Sequence, residues 1–314
     1  MKRASTTVLF VFFLVALTGY LLIREGENPK LKTLKVLYPQ AQKSFLRATK
    51  LLGKAREGRI DPLLDPYETG WIGPEISPVV TTMGSLLSKR TTTNPEFIFV
   101  IIDLLLSSEV KKGDSVLIAS SGSFPALNTM TVIAGEVLRL NVHLMSSIGA
   151  STYGATDPQW LWPDIENFLF EHDVIHTRTE FLTYGGDSDI GKFLDPQGRI
   201  LCEESAERNG LQIVTAGSYR EMLQKKEEYF NRIQPKVLIN IGGNHTNTGG
   251  MGHLLPSGLV TKLPANCQPE SFGLIGYALT NGCKVINLLN VIELASKWNI
   301  FVDPDLSCYN LHNF

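Results

Sequence analysis

The chain has 314 residues, of which 43% are hydrophobic and 19% are charged, so it can bury an adequate core and is not expected to be disordered. Its formal net charge of -2 excludes a broad nucleic-acid-binding face, which would require a strongly basic domain. An anionic ligand must therefore be bound by a few local cations.

An apolar segment lies close to the N-terminus. Lys2 and Arg3 precede an uncharged stretch from Val8 to Ile23, which, counted from Ser5, is just long enough to cross a bilayer. A cleaved secretory signal is the alternative, but no A-x-A cleavage pattern follows the stretch. We therefore expect residues 1–24 to form an N-terminal membrane anchor (or signal peptide). The basic pair favours a cytoplasmic N-terminus, which predicts a single-pass protein of the cytoplasmic membrane with its body extracytoplasmic.

Residues 25–80 are expected to form an amphipathic helix and a Pro/Gly-rich loop. Apolar residues recur at helical spacing between Lys30 and Glu57, with an interruption expected at Pro39. Residues 58–80 are rich in Pro and Gly, which is typical of an ordered loop or a linker. The remaining residues, 81–314, are expected to form the main domain.

From Asn94 onward, predicted helices alternate with predicted strands. The strands are expected at 115–119, 142–146, near Val174, 211–215, 236–241 and 284–288. This alternation predicts an α/β fold with a mostly parallel sheet and helices on both faces. Four cysteines lie along this region without C-x-x-C spacing, so we assign no zinc site and no disulfide, although Cys267 and Cys283 could pair outside the cytoplasm.

Small polar residues follow several of the predicted strands. Ser121 and Gly122 come after the strand at 115–119, and Gly243, Asn244 and Thr246 come after the strand at 236–241. Because the carboxyl ends of parallel strands meet at one edge of a sheet, where α/β proteins bind ligands, we expect these residues to contact the substrate.

Ser123 is the candidate nucleophile. It lies between a buried strand and a predicted helix, a position similar to that of a nucleophile elbow, although the segment departs from G-x-S-x-G. The alternative is that Ser123 only caps the helix that follows.

His245 and Asp187 are the candidate partners of Ser123. His245 lies in a glycine-rich polar loop at a strand end, which makes it a better candidate for a general base than a histidine on an apolar face. The alternative is that His245 is a plain loop residue. Asp187 or Asp189, in another glycine-rich loop, could orient that histidine or hold a cation, although a surface Asx-turn uses the same residues. Ser123, Asp187 and His245 occur in the chain order of α/β hydrolases, which is weak evidence by itself.

Lys89 and Arg90 are the candidate anion-binding cations. They precede three threonines and a predicted helix, so they could bind carboxylates, or they could belong to a solvated loop. No cofactor or metal is expected, since neither G-x-x-x-x-G-K-[ST] nor G-x-G-x-x-G occurs at a strand-to-helix turn and no pair of histidines has ligand spacing.

These segments together resemble the family of poly-gamma-glutamate system proteins. The resemblance covers nearly the whole chain and is carried by the N-terminal apolar segment and by the motifs at 81–95, 121–128, 153–158, 185–189 and 241–247. It implies a bacterial protein of the machinery that makes, exports, attaches or trims poly-gamma-glutamate, but it provides no catalytic residues.

Two functions are consistent with this reading. The first is an anchored hydrolase or transferase that acts on gamma-glutamyl linkages with Ser123, Asp187 and His245. The second is a non-catalytic accessory protein that binds the polymer or the synthetase complex through Lys89, Arg90 and the strand-end loops. The expected partners are poly-gamma-glutamate and other membrane proteins of the same system, with no nucleic acid.

Overall fold

The computed structural model describes residues 29–311. The predicted anchor at residues 1–24 lies outside this range. Among the helices of the described part of the chain, none is both long enough and apolar enough to span a bilayer.

A mixed six-stranded sheet forms the centre of the described region. Its strands are β2 (Ser115–Ser121), β3 (Asn141–Ser147), β5 (Thr179–Thr183), β6 (Val237–Ile241), β7 (Gly258–Val260) and β8 (Lys284–Leu288). They are ordered β5-β3-β2-β6-β8-β7, and only the edge strand β7 is antiparallel to its neighbour. A separate parallel pair joins β1 (Val80–Thr82) to β4 (Ala150–Ser151).

Helices connect the strands. They are α1 (Pro29–Ala55), α2 (Leu86–Thr91), α3 (Phe97–Ser107), α4 (Pro125–Val137), α5 (Trp162–Glu171), α6 (Pro196–Arg208), α7 (Tyr219–Ile233), α8 (His245–Thr248), α9 (Gly273–Thr280) and α10 (Val291–Lys297). Short 3-10 helices span Gly252–Leu254, Pro269–Phe272 and Ser307–Tyr309. Ser218 caps α7, because its side chain accepts a hydrogen bond from the Glu221 backbone N–H.

Alternate residues of the strands enter two different cores. Val116 and Ile118 of β2 pack with α1, α3 and α4, whereas Leu117 and Ala119 pack with α7 and α9. Successive side chains of a strand point to opposite faces, so both faces of the sheet are covered by helices. The predicted α/β fold with a mostly parallel sheet is confirmed.

The helix of residues 29–55 belongs to the same core as the sheet. Phe45 and Leu52 are fully buried, and the Phe45 ring stacks on Trp71 with a centroid distance of 5.5 Å. The predicted interruption at Pro39 is wrong, since α1 continues through it. Burial of Leu34 and Ala41 on either side of Pro39 offsets the backbone hydrogen bond that a proline cannot donate.

Two predicted strands are also placed differently. Residues near Val174 form no strand, and the edge strand β5 begins at Thr179 instead. Residues 211–215 contribute only an isolated bridge between Ile213 and Leu182. Both segments lie at the sheet edge, where pairing depends on tertiary contacts more than on the apolar pattern.

Gly276 in α9 packs directly against backbone. A Cβ added at this position would lie 1.9 Å from the Pro269 carbonyl oxygen. We expect Gly276→Ala to lower the free energy of unfolding by about 1–3 kcal/mol, because overpacking outweighs the roughly 1 kcal/mol gain in helix propensity. Gly250→Ala is the control, since no atom lies within 4 Å of the added Cβ. Equal midpoints of urea unfolding for the two variants would contradict this packing.

Candidate functional site

The candidate site lies where the chain reverses its direction across the sheet. Chain connections run from β2 outward to β3 and β5, and then return to β6 and β8 on the other side of β2. Ligands of open α/β sheets bind at such a switch point, beyond the carboxyl ends of the strands. A cavity of about 490 Å³ occupies this position.

Loops after five parallel strands line the cavity together with the segment around β1 and α2. Its lining includes Ser121 at the end of β2, with Ser123 and Phe124 after it; Ser147 and Ser151 from β3 and β4; Gly186 and Asp187 after β5; Gly243, Asn244 and His245 after β6; Leu289 after β8; and Lys89 of α2. The strand-end loops therefore face one cavity, which the sequence alone could not decide.

Asp187 and His245 form a hydrogen-bonded pair in this cavity. The Asp187 Oδ1 atom lies 2.7 Å from His245 Nδ1, and the imidazole is 41% exposed. Lys192 lies 3.3 Å from the other carboxylate oxygen of Asp187. Desolvation raises the pKa of Asp187, but the hydrogen bonds from His245 and Lys192 outweigh it, so the pKa of this carboxyl is lowered. The carboxylate therefore stays charged and can orient the imidazole. Of the two aspartates that the sequence left open, Asp187 is the one that contacts His245.

Ser123 lies in the same cavity but does not contact His245. Its Oγ accepts a hydrogen bond of 3.0 Å from the Ser151 backbone N–H. Among the hydrogen bonds of residues 29–311, none joins Ser123 to His245. Ser123 is also not the cap of α4, because the N-cap position is occupied by Phe124 without a side-chain bond. The three predicted triad residues therefore share a cavity without forming a continuous Ser-His-Asp chain.

Lys89 is buried at the wall of the cavity. Its side chain is 2% exposed, and its Nζ donates to the Ser151 Oγ at 2.7 Å and to the Ser123 carbonyl oxygen. The ammonium also lies 3.7 Å from the centroid of the Phe124 ring. Desolvation lowers the pKa of Lys89 to about 7, because no carboxylate in the described part of the chain forms an ion pair with it.

Arg90 does not line the cavity. Its guanidinium donates to the Leu63 and Leu64 carbonyl oxygens at 2.6 and 2.8 Å, and it lies 3.4 Å from Asp303. The assignment of Arg90 to substrate binding therefore does not fit the structure. Arg90 is held away from the cavity by these contacts, whereas its neighbour Lys89 lines it.

Of the remaining residues predicted to contact the substrate, some line the cavity and others pack beside it. Ser121, Gly243 and Asn244 line the cavity. Gly122 does not; a Cβ added there would lie 2.5 Å from the Ile148 carbonyl oxygen, so its role is close packing. Thr246 is fully buried, and its hydroxyl donates to Asp189 at 3.1 Å.

Asp189 belongs to a buried network beneath the cavity. Its carboxylate lies 2.5 Å from Lys226 Nζ, and both side chains are essentially inaccessible. Asn244 donates to the same carboxylate at 2.7 Å, and its own Oδ1 accepts from the backbone N–H groups that begin α8. This network joins the loop of Asp187 to the loop of His245 and fixes their separation.

Three important residues were not predicted from the sequence. Ser151, Lys192 and Lys226 contact, respectively, Lys89, Asp187 and Asp189. Ser151 ends a Gly/Ser-rich segment after β3, so a strand-end signal was present for it. Lys226 lies on an amphipathic helix whose pattern gives no sign that one lysine is buried.

No family model, no curated protein and no solved structure matches the chain. Within residues 29–311, no group of three or more His, Cys, Asp or Glu side chains is placed to hold a metal ion. The four cysteines, all in the described range, are unpaired. Fold and site therefore define a class only, an α/β protein with a polar cavity at the switch point of its sheet.

The buried ion pair should be required for stability as a unit. Lys226→Met leaves the Asp189 carboxylate buried without a cation, so we expect a loss of about 3–5 kcal/mol in the free energy of unfolding. The double variant Lys226→Met/Asp189→Asn should recover most of it, because asparagine is uncharged and tolerates the φ of 60° at this position.

Lys225→Met is the matched control in urea unfolding. This neighbouring lysine is 37% exposed and pairs with Glu221 near the surface, so its loss should cost less than about 1 kcal/mol. If the double variant is no more stable than Lys226→Met, the Lys226–Asp189 ion pair is not the interaction that stabilises this region.

Burial of Lys89 should make stability depend on pH. The pKa of Lys89 falls from 10.5 to about 7 on folding, so the unfolded chain binds the extra proton and stability rises with pH between these values. We expect Lys89→Met to stabilise the protein by roughly 1–3 kcal/mol at pH 7 and below, after the loss of two hydrogen bonds is counted.

This advantage of Lys89→Met should disappear as the pH approaches 10.5, where the lysine is neutral in both states. Thermal or urea unfolding between pH 6 and pH 10 measures it. Lys192→Met, at a side chain that is 53% exposed, should show no such trend. A pH-independent difference for Lys89→Met would contradict the lowered pKa.

Proposed function

We propose that this protein is an acyl-transfer enzyme, a hydrolase or transferase, that acts on gamma-glutamyl linkages of poly-gamma-glutamate. The observation that carries the proposal is the convergence, in one cavity, of serine hydroxyls, an oriented Asp187–His245 pair and a buried amine at Lys89. Acyl transfer needs a hydroxyl nucleophile and a group that accepts its proton, and this cavity supplies both kinds of group.

The substrate class follows from the resemblance to poly-gamma-glutamate system proteins and is compatible with the charges at the cavity. Lys192 is half-exposed at its edge and is the cation best placed to meet a carboxylate side chain of the polymer. A single-pass anchor at residues 1–24, with the cavity on the extracytoplasmic side, would hold the enzyme beside the emerging polymer and the other membrane proteins of the system.

Each residue of the pair has a defined part in this proposal. His245 Nδ1 contacts Asp187 and also receives the Ser188 backbone N–H at 3.1 Å, so the loop after β5 holds the ring and Nε2 is left to exchange a proton with substrate or water. Because His245 is 41% exposed, a water molecule or a leaving amine can reach it.

A second candidate is a non-catalytic accessory protein that binds the polymer or the synthetase complex. The absence of a Ser123–His245 hydrogen bond in the described structure favours it, because the predicted triad is incomplete. Under this alternative, Lys192 and the strand-end loops bind the polymer without cleaving it.

Incubation of the full chain with poly-gamma-glutamate, with polymer length followed by gel filtration, tests the proposal. We expect the wild type to shorten the polymer or to transfer it to an added amine. His245→Ala should reduce the rate by about 10²–10⁴-fold. His143→Ala is the matched control, since this histidine contacts Glu180 on the sheet surface and does not line the cavity.

The outcome decides between the two candidates. Polymer that keeps its length but co-elutes with the protein, and is released by Lys192→Met, would support the accessory role and contradict the enzyme. Equal rates for His245→Ala and His143→Ala would remove the Asp187–His245 pair from the mechanism.

A further inference from the structure

Lys89 is exceptional among the cations of the described structure. A fully buried lysine normally pairs with a carboxylate, as Lys226 does with Asp189. Lys89 is also 2% exposed, yet its partners are a hydroxyl, a carbonyl oxygen and the Phe124 ring. The other ionisable groups that line the cavity are Asp187, Lys192 and His245, and none of them forms an ion pair with Lys89.

The hydroxyl that Lys89 contacts belongs to Ser151. Its Oγ lies 2.7 Å from Lys89 Nζ, which is within reach for direct proton transfer, and Ser151 lines the cavity. No such base lies beside Ser123 Oγ, whose hydrogen bond within the described structure comes from the Ser151 backbone. Of the cavity serines, Ser151 is therefore the one already paired with a base.

Neighbouring backbone fixes this contact. Ser123 Oγ accepts from the Ser151 backbone N–H at 3.0 Å, and the Ser123 carbonyl oxygen accepts from Lys89 Nζ, so one residue positions both partners. Gly84 leaves the space above Ser151; a Cβ added there would lie 2.9 Å from Ser151 Oγ. The pairing of β1 with β4 holds the two segments together.

We propose that Ser151 is the nucleophile of this site and that Lys89 is its general base, with Ser123 as a positioning residue. This inference rests on the proposed function for its reaction, but the Ser151–Lys89 pair can be tested without the polymer. Serine–lysine pairs perform acyl transfer on folds unrelated to one another, so the chemistry does not depend on a particular fold.

The reaction balances without a cofactor. The neutral Lys89 amine accepts the Ser151 proton as Oγ bonds to the carbonyl carbon of the gamma-glutamyl amide. The C–N bond then breaks, and the leaving amine takes the proton from the Lys89 ammonium, which leaves an ester on Ser151. Water attacks this ester while Lys89 accepts one of its protons. The ester C–O bond then breaks, the carboxyl product is released, and that proton returns to Ser151 Oγ. An amine in place of water gives transfer instead of hydrolysis.

Only the neutral form of Lys89 can act as the base. Desolvation lowers its pKa to about 7, so about half of the amine is unprotonated at neutral pH. An ordinary lysine with a pKa of 10.5 would be almost fully protonated there and could not accept a proton. Its burial also argues against a role in binding substrate carboxylates, for which the half-exposed Lys192 is better placed.

A fluorophosphonate probe tests the pair directly, because such reagents modify activated serines. We expect the full-length wild type to be modified at Ser151, as identified by mass spectrometry of its peptides. The rate should fall about tenfold per pH unit below pH 7 and become constant above it, as Lys89 loses its proton. Lys89→Met should slow labelling about 100-fold or more, whereas Lys225→Met, at a lysine outside the cavity, should leave it within about threefold.

Ser123→Ala separates positioning from catalysis. It should slow labelling while the probe still attaches to Ser151, and the pH midpoint should shift, because the hydrogen bonds that hold Ser151 are altered. Three results would each contradict the assignment of Ser151 as nucleophile and Lys89 as base. They are labelling at Ser123, labelling of Ser151→Ala at the wild-type rate, and no labelling at any pH. The position of the label and the pH profile are measured on the wild type, so they do not depend on a variant that folds.

The same variants distinguish this inference from the proposed function. If the polymer is shortened and Ser151→Ala is as active as the wild type, the assignment of Ser151 and Lys89 as nucleophile and base is wrong and the proposed function stands. If Ser151 is labelled with the expected pH profile but the polymer is neither shortened nor transferred, the assignment of Ser151 and Lys89 stands and the substrate assignment is wrong.

Discussion

The buried ion pair between Lys226 and Asp189 is the interaction on which the geometry of the site depends. Its 2.5 Å contact is inaccessible to solvent, and Asn244 donates to the same carboxylate at 2.7 Å. Since a buried charge is stable only when it is paired and hydrogen-bonded, the loop after β5, the loop after β6 and helix α7 must assemble together. Asp187 and His245 project from these two loops, so their 2.7 Å contact is a consequence of the pair beneath them.

The second buried lysine of the site, Lys89, has no such partner. Lys89 is buried without a carboxylate, which lowers its pKa to about 7 and leaves the folded protein less stable than an apolar side chain would. Such a destabilising group persists where its chemistry is used, because structural positions favour a paired or apolar residue. The cavity thus combines the hydrogen-bonded Asp187–His245 pair with a desolvated amine beside Ser151.

The periodicity of the chain was sufficient to predict most of the sheet. Strands β2, β3, β6 and β8 are buried apolar runs, and their positions were predicted within a few residues. Strand β5 and the antiparallel β7 were not found, because short edge strands carry little apolar pattern of their own. At the site, Asp187 and His245 were predicted from their glycine-rich loops, whereas Arg90 was assigned to the site although it lies outside it.

Three features could be predicted from the sequence: the fold class, the edge of the sheet where the candidate site lies and the small polar residues around it. They depend on the spacing of apolar residues and on the composition of strand ends, which are local properties. The side chains that meet in the cavity could be identified only from the tertiary structure. Lys89 and Ser151 are 62 positions apart, and Lys226 and Asn244 reach Asp189 from separate elements. Burial of one lysine beside a hydroxyl and of another beside a carboxylate depends on packing between distant segments, and desolvation then gives the two amines different chemistry.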